Sequence, residues 1–238
     1  MIYTNRRSLL RRPWVGPLAV LTVVFLAFSV PPYLTLDPAR ARLPVPEGYG
    51  WYYPMLVAHI VFGSVALTAA CLQVWPWLRA RRPDVHRWSG RAYVFAGAIP
   101  ASLVVLTITP FGAWGANQRT ANTLLALLWL GTTIAGYRAA RRRSVAEHRE
   151  WMIRSFALAF SIVANRLWGV ACIVVFAPET LTADATATPD PVLAQAIGVS
   201  TWLSWVVNLL IAEWWLHRTR FRRAPADRPR RVPEPAAA

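Results

Sequence analysis

The chain has 238 residues, 55% of them hydrophobic and only 16% charged, yet its formal net charge is +15. A soluble domain has about a quarter of its residues charged, so this composition excludes an ordinary water-soluble fold. Apart from four histidines, every basic residue is arginine.

Six apolar stretches follow one another. About twenty residues suffice to cross a ~30 Å hydrocarbon core as a helix. Inside lipid the backbone must satisfy its own hydrogen bonds, so such stretches predict helices. Strands of a membrane barrel are shorter and alternate polar with apolar residues, which these runs do not. The expected fold class is therefore all-α: a polytopic transmembrane helical bundle of six spans occupying residues 14–217.

Residues 1–13 form a basic terminus with Arg6, Arg7, Arg11 and Arg12. The first span is Trp14–Leu34. Arg6-Arg7-Ser8-Leu9-Leu10-Arg11 has the look of a twin-arginine signal, and Ala27-Phe28-Ser29 of a cleavage site. The apolar run passes that site and stops only at Pro31-Pro32, so an uncleaved anchor is expected. The second span, Tyr52–Trp77, holds His59 and Cys71. The third is Ala92–Phe111, the fourth Asn122–Tyr137. The fifth, Met152–Phe176, holds Asn165, Arg166 and Cys172. The sixth, Val192–Leu216, holds Asn208 and Glu213. Both cysteines sit in apolar runs and read as packing residues. The tail, residues 218–238, alternates Arg, Pro and Ala without an apolar face, which predicts a disordered segment.

The arginines fall on alternate gaps. They crowd the N-terminus, the second gap from Arg79 to Arg91, the fourth from Arg138 to Arg154, and the tail from Arg218 to Arg231. The remaining gaps carry only Arg40, Arg42 and Arg119, with acidic Asp37, Glu47, Glu179, Asp184 and Asp190. This is the positive-inside pattern, not the single basic face of a nucleic-acid binder. It places both termini in the cytoplasm of a multi-pass protein of a bacterial inner membrane. The partners it implies are the bilayer and anionic lipid at the cytoplasmic face. Tryptophans near span ends read as an aromatic belt.

A weak repeat runs through the middle. His86-Arg87-Trp88 opens the third span and His148-Arg149 the fifth, each after a basic turn. Spans two–three and four–five thus read as two similar hairpins packed as a four-helix core, by duplication or by shared interface chemistry.

Charged and polar residues within a membrane are functional candidates. With ~1.5 Å rise per residue, His86, Arg91, His148, Arg154 and Glu213 fall near the cytoplasmic face. His59, Asn165 and Arg166 fall in the outer half, which rules out a three-histidine site. His86 and His148, with Arg91 and Arg154 for propionates, have the elements of a bis-histidine haem b site. The alternatives are a metal ion, for which two histidines are too few, and plain interfacial roles. Arg154 and Glu213 are expected to pair across spans five and six, as a clasp or as part of a relay. Arg166 lies too deep to reach water easily and must face a partner or a polar cavity. His59 and Asn165 at similar depth suggest an outer pocket for an anionic or carbonyl ligand, or a closed network. No soluble-enzyme motif occurs, and no catalytic residue is assigned.

Four blocks carry a family resemblance: His59-Ile60-Val61-Phe62-Gly63-Ser64; His86-Arg87-Trp88-Ser89-Gly90-Arg91-Ala92-Tyr93; Glu147-His148-Arg149-Glu150-Trp151-Met152-Ile153-Arg154-Ser155; and Asn208 to Trp214. Together they resemble the bacterial membrane proteins of domain of unknown function 2306, over roughly Tyr53 to Leu216. The resemblance implies a polytopic inner-membrane protein and names no activity. Three functions remain open: a haem- or redox-linked membrane protein, a small-solute or anion transporter or binding protein, and a structural or assembly partner of a membrane complex.

Overall fold

The computed structural model describes residues 13–181 and 191–221, and every regular element among them is helical. Helix α1 is Val15–Ser29, followed by a short turn of helix at Pro31–Leu34. Helix α2 is Tyr52–Val74. It stops because Pro76 disfavours helical backbone at Trp75, which is extended with ψ 108°. Helix α3 is Pro83–Phe111, entered at a proline that has no N–H to leave unpaired. Helix α4 is Gly115–Arg141, and helix α5 is Val145–Phe176 with a break at Phe160. Helix α6 is Pro191–Phe221.

Two local features shape the bundle. In α3 the segment Ala92–Ala98 is a π-helix, where the Ile99 N–H bonds Val94 O. Pro100 supplies no N–H and its ring crowds the carbonyl four residues back, so the preceding turn widens. Between α4 and α5 the chain reverses on Arg143, whose φ of 60° is left-handed. Ser144 N bonds Ala139 O and Arg143 N bonds Ala140 O, both at 3.0 Å, closing the last carbonyls of α4. That turn makes α4 and α5 an antiparallel hairpin.

Four helices are long and apolar enough to cross a membrane: α2, α3, α5, and α6 over Pro191–Arg220. Of the other two expected spans, α1 is apolar but 15 residues long. α4 has the length, 27 residues, but Asn117, Gln118, Arg119 and Asn122 occupy its first turns. Three expected boundaries move. α3 and α5 begin at Pro83 and Val145, ahead of the expected Ala92 and Met152, so His86 and His148 lie in the first turns of their helices. The basic tail was expected from Arg218, whereas α6 runs on to Phe221. The expected termini 1–13 and 218–238 otherwise lie outside the described residues, but for Pro13 and 218–221.

The packing is inverted relative to a water-soluble protein. Val20, Val23, Leu167, Val170 and Val175 are exposed, while Ser102, Thr133, Ser155, Ser161 and Ser204 are buried. Small residues let the helices approach: a Cβ on Gly97 of α3 would lie 2.8 Å from Ala66 Cα of α2. Ala66, Ala69, Ala70, Ala98 and Ala101 complete that crossing in the main core.

Candidate functional site

At the arginine-rich end, α5 and α6 are bound by charge. Arg154 forks onto Glu213 through Nε and Nη2, the latter 2.9 Å from Oε2. One turn before, Arg220 of α6 grips Glu150. The Arg149 guanidinium lies 5.0 Å over the Trp215 ring, and Asn208 Nδ2 donates to Ala157 O at 3.1 Å. Arg154 and Glu213 are therefore brought together, in a clasp that also leans on Trp151 at 4.9 Å.

His86 and His148 are near neighbours at this end, since His148 and Arg79 both act on His86 electrostatically. His148 Nδ1 donates to Gly136 O at 2.8 Å, which ties α5 to α4. The His86 carbonyl accepts from Gln73 Nε2 at 2.7 Å, and its buried Nδ1 has no partner among the described residues. A haem needs an open slot between such rings, with free cations for its propionates. Neither histidine lines the large cavity described next or the shallow groove at Trp88. Arg154 is engaged by Glu213, and Arg91 lies 5.0 Å over Trp88. No group of three or more His, Cys, Asp or Glu among the described residues is arranged to hold a metal ion.

The opposite half of the bundle encloses a cavity of about 470 Å³. His59, Asn165 and Arg166 all line it, as does Arg42 from the segment between α1 and α2. His59 Nδ1 lies 3.0 Å from Ala101 O of α3. A carbonyl only accepts, so Nδ1 carries the ring proton and Nε2 presents a lone pair. The Arg166 guanidinium lies 5.9 Å over the Phe25 ring of α1, and that of Arg42 3.8 Å over Phe28. Neither arginine is paired with a carboxylate among the described residues, and the lining contains no Asp or Glu. The buried Asn165 Oδ1 is also without a partner there.

Trp129 at the cavity floor leads into a buried hydroxyl network. Its Nε1 donates to Tyr93 OH at 3.1 Å. Tyr93 OH and Ser155 Oγ are 2.6 Å apart, and Ser155 Oγ and Thr133 Oγ1 2.7 Å. These four residues join α3, α4 and α5 and are almost wholly buried. Sequence reasoning missed both this network and Arg42. The offset that relates His86 to His148 also relates Tyr93 to Ser155, and extending it by two turns would have found the pair. Arg42 reads from sequence as an outer-loop residue, and nothing in its local sequence shows that the loop folds over the cavity.

The family of predicted membrane proteins described as DUF2306 matches residues 56–216, which takes in α3, α4, α5 and nearly all of α2 and α6. His59, Asn165 and Arg166 fall inside the match; α1 and Arg42 lie outside it. No curated protein and no solved structure matches the chain. By a match over more than half its length, the chain belongs to the DUF2306 family of predicted membrane proteins.

Proposed function

We propose that this protein binds a small anionic solute in the cavity of Arg42, His59, Asn165 and Arg166, as a membrane transporter or binding protein. One observation carries the reading: two arginines without carboxylate partners among the described residues share a cavity whose described lining has no acidic residue. Both arginines are exposed, but Arg166 stands on α5 among the exposed apolar Ile162, Leu167 and Val170, where a cation is costly unless an anion or ordered water meets it. The cavity volume is also in the ~300–1,000 Å³ range of small-molecule sites.

The reading includes an orientation. α1 and α4 join the four apolar helices as six spans of a bacterial inner membrane, with both termini cytoplasmic. The arginine-rich end then meets anionic lipid at the cytoplasmic face, and the cavity lies in the outer half.

The test is thermal unfolding of the full chain in nanodiscs with short carboxylates, phosphate and sulfate. At least one anion raises the midpoint of the wild type, and Arg166→Leu removes that rise. If Arg166→Leu folds normally and responds like the wild type to every anion, the reading fails.

A haem-linked role rests on the single unpartnered Nδ1 of His86. The engagement of Arg154 by Glu213, which takes up one of the cations the propionates would need, argues against it. Protein expressed with haem supplied is expected to show no Soret band; a stoichiometric band lost in His148→Ala would reverse this.

A further inference from the structure

Granted an anion site at Arg166, we infer that its ligand is an amphiphile: one anionic headgroup that also bears an O–H or N–H donor, carried on a single apolar chain. The cavity is long and changes character along its length. On α5 its lining runs from Arg166 down to Leu158, eight residues or ~12 Å. On α2 it runs from Tyr52 at the rim to Leu67, fifteen residues or ~22 Å. The cationic groups gather at the upper level, where Arg42 acts on Arg166 electrostatically. The floor is Leu67, Leu125, Trp129 and Leu158.

That floor offers a polar ligand little. The Trp129 N–H, its one donor, is already given to Tyr93 OH. Higher on the walls, the hydroxyls of Ser64, Ser161, Thr201 and Ser204 each donate to a carbonyl of their own helix. A deep, dry, apolar end suits hydrocarbon. At ~30 Å³ per water-sized group, 470 Å³ holds roughly fifteen such groups, more than a small inorganic anion fills.

The upper level asks for two things at once. Among the described residues the guanidinium groups of Arg42 and Arg166 are donors without hydrogen-bond acceptors, which calls for an anion. His59 Nε2 and Asn165 Oδ1 are acceptors without donors, which calls for an O–H or N–H on the same headgroup. A bare carboxylate or sulfate satisfies the first pair and leaves the second unmet. A hydroxylated phosphate or acid on one chain satisfies both. A phospholipid headgroup with one acyl chain and a free hydroxylated acid share this chemistry.

The experiment uses the full chain in phosphatidylcholine nanodiscs with three matched probes. Glycerol 3-phosphate has head and hydroxyls but no chain. Dodecanoate has charge and chain but no extra donor. 1-Lauroyl lysophosphatidate has all three. Thermal stabilisation by lysophosphatidate is expected at a concentration at least tenfold below that needed for either fragment. Arg166→Leu and the exposed-loop variant Arg42→Gln each raise that concentration tenfold or more. Partition into the bilayer is common to wild type and variants, so the difference reports the site. Leu125→Trp, which fills the lower wall, weakens lysophosphatidate and spares glycerol 3-phosphate. Equal response to glycerol 3-phosphate and lysophosphatidate overturns the amphiphile while the anion reading stands. Equal response to dodecanoate and lysophosphatidate overturns the donor requirement. No Arg166- or Arg42-dependent response to any probe overturns the amphiphile, and the anion reading then rests on the short-anion panel.

Discussion

Tyr93 of α3 and Ser155 of α5 are 62 residues apart and share a 2.6 Å hydrogen bond at the centre of the bundle. The same offset relates His86 to His148, and it relates Ala98, where the π-helix ends, to Phe160, where α5 breaks. The α2–α3 and α4–α5 hairpins therefore correspond in more than their opening motifs. By this offset Tyr93 and Ser155 are corresponding positions, and they meet directly. The π-helical turns of α3 lie below the floor of the cavity, and the break in α5 lies just above it.

The network should be a shared unit of stability. Tyr93→Phe leaves the Trp129 N–H and the Ser155 hydroxyl short of a partner in a dry interior, at a cost of about 1–3 kcal/mol. Ser155→Ala should cost a similar amount, and the double variant distinctly less than the sum. Unfolding midpoints of the four proteins check this; strict additivity would contradict a connected network.

Glycine substitutions separate close approach from open space. Gly97→Ala drives a methyl against Ala66 backbone and should destabilise by about 1–3 kcal/mol, as overpacking does. Gly169→Ala meets nothing within 4 Å and should be neutral or stabilising by up to ~1 kcal/mol, because alanine is the better helix former. Thermal unfolding of both variants in the same detergent reads the contrast.

The Arg154–Glu213 pair offers a charge test. Glu213→Gln leaves a mostly buried guanidinium without its counter-ion, and the loss should be about 1–3 kcal/mol, below that of a fully buried pair because Glu213 is 45% exposed. The exchanged variant Arg154→Glu with Glu213→Arg should recover part of it. If the exchange is as unstable as Glu213→Gln, the pair acts through shape and not through charge.

Much of the architecture was legible because lipid enforces it. Runs such as Tyr52–Val74 have no choice but helix, and the four blocks from His59 to Trp214 pointed to the matched family. α1 and α4 were harder: both read as spans, yet α1 is short and α4 opens on Asn117, Gln118 and Arg119. The exposure of Arg166 as an arginine outside the positive-inside pattern directed attention to the outer half. Convergence was another matter. His59, Asn165 and Arg166 are brought to one cavity by helix rotation, which a sequence with all-round apolar helices does not encode visibly. Tyr93 carries no local signal of a buried partner, and only the fold reveals its partners 36 and 62 residues away.

The anion site is tested most directly by what the protein carries when it is purified. Native mass spectrometry of the full chain released from nanodiscs should show an anionic small-molecule adduct on the wild type, absent from Arg166→Leu and reduced in Arg42→Gln. Identical adduct spectra for the three proteins, all correctly folded, would contradict the account.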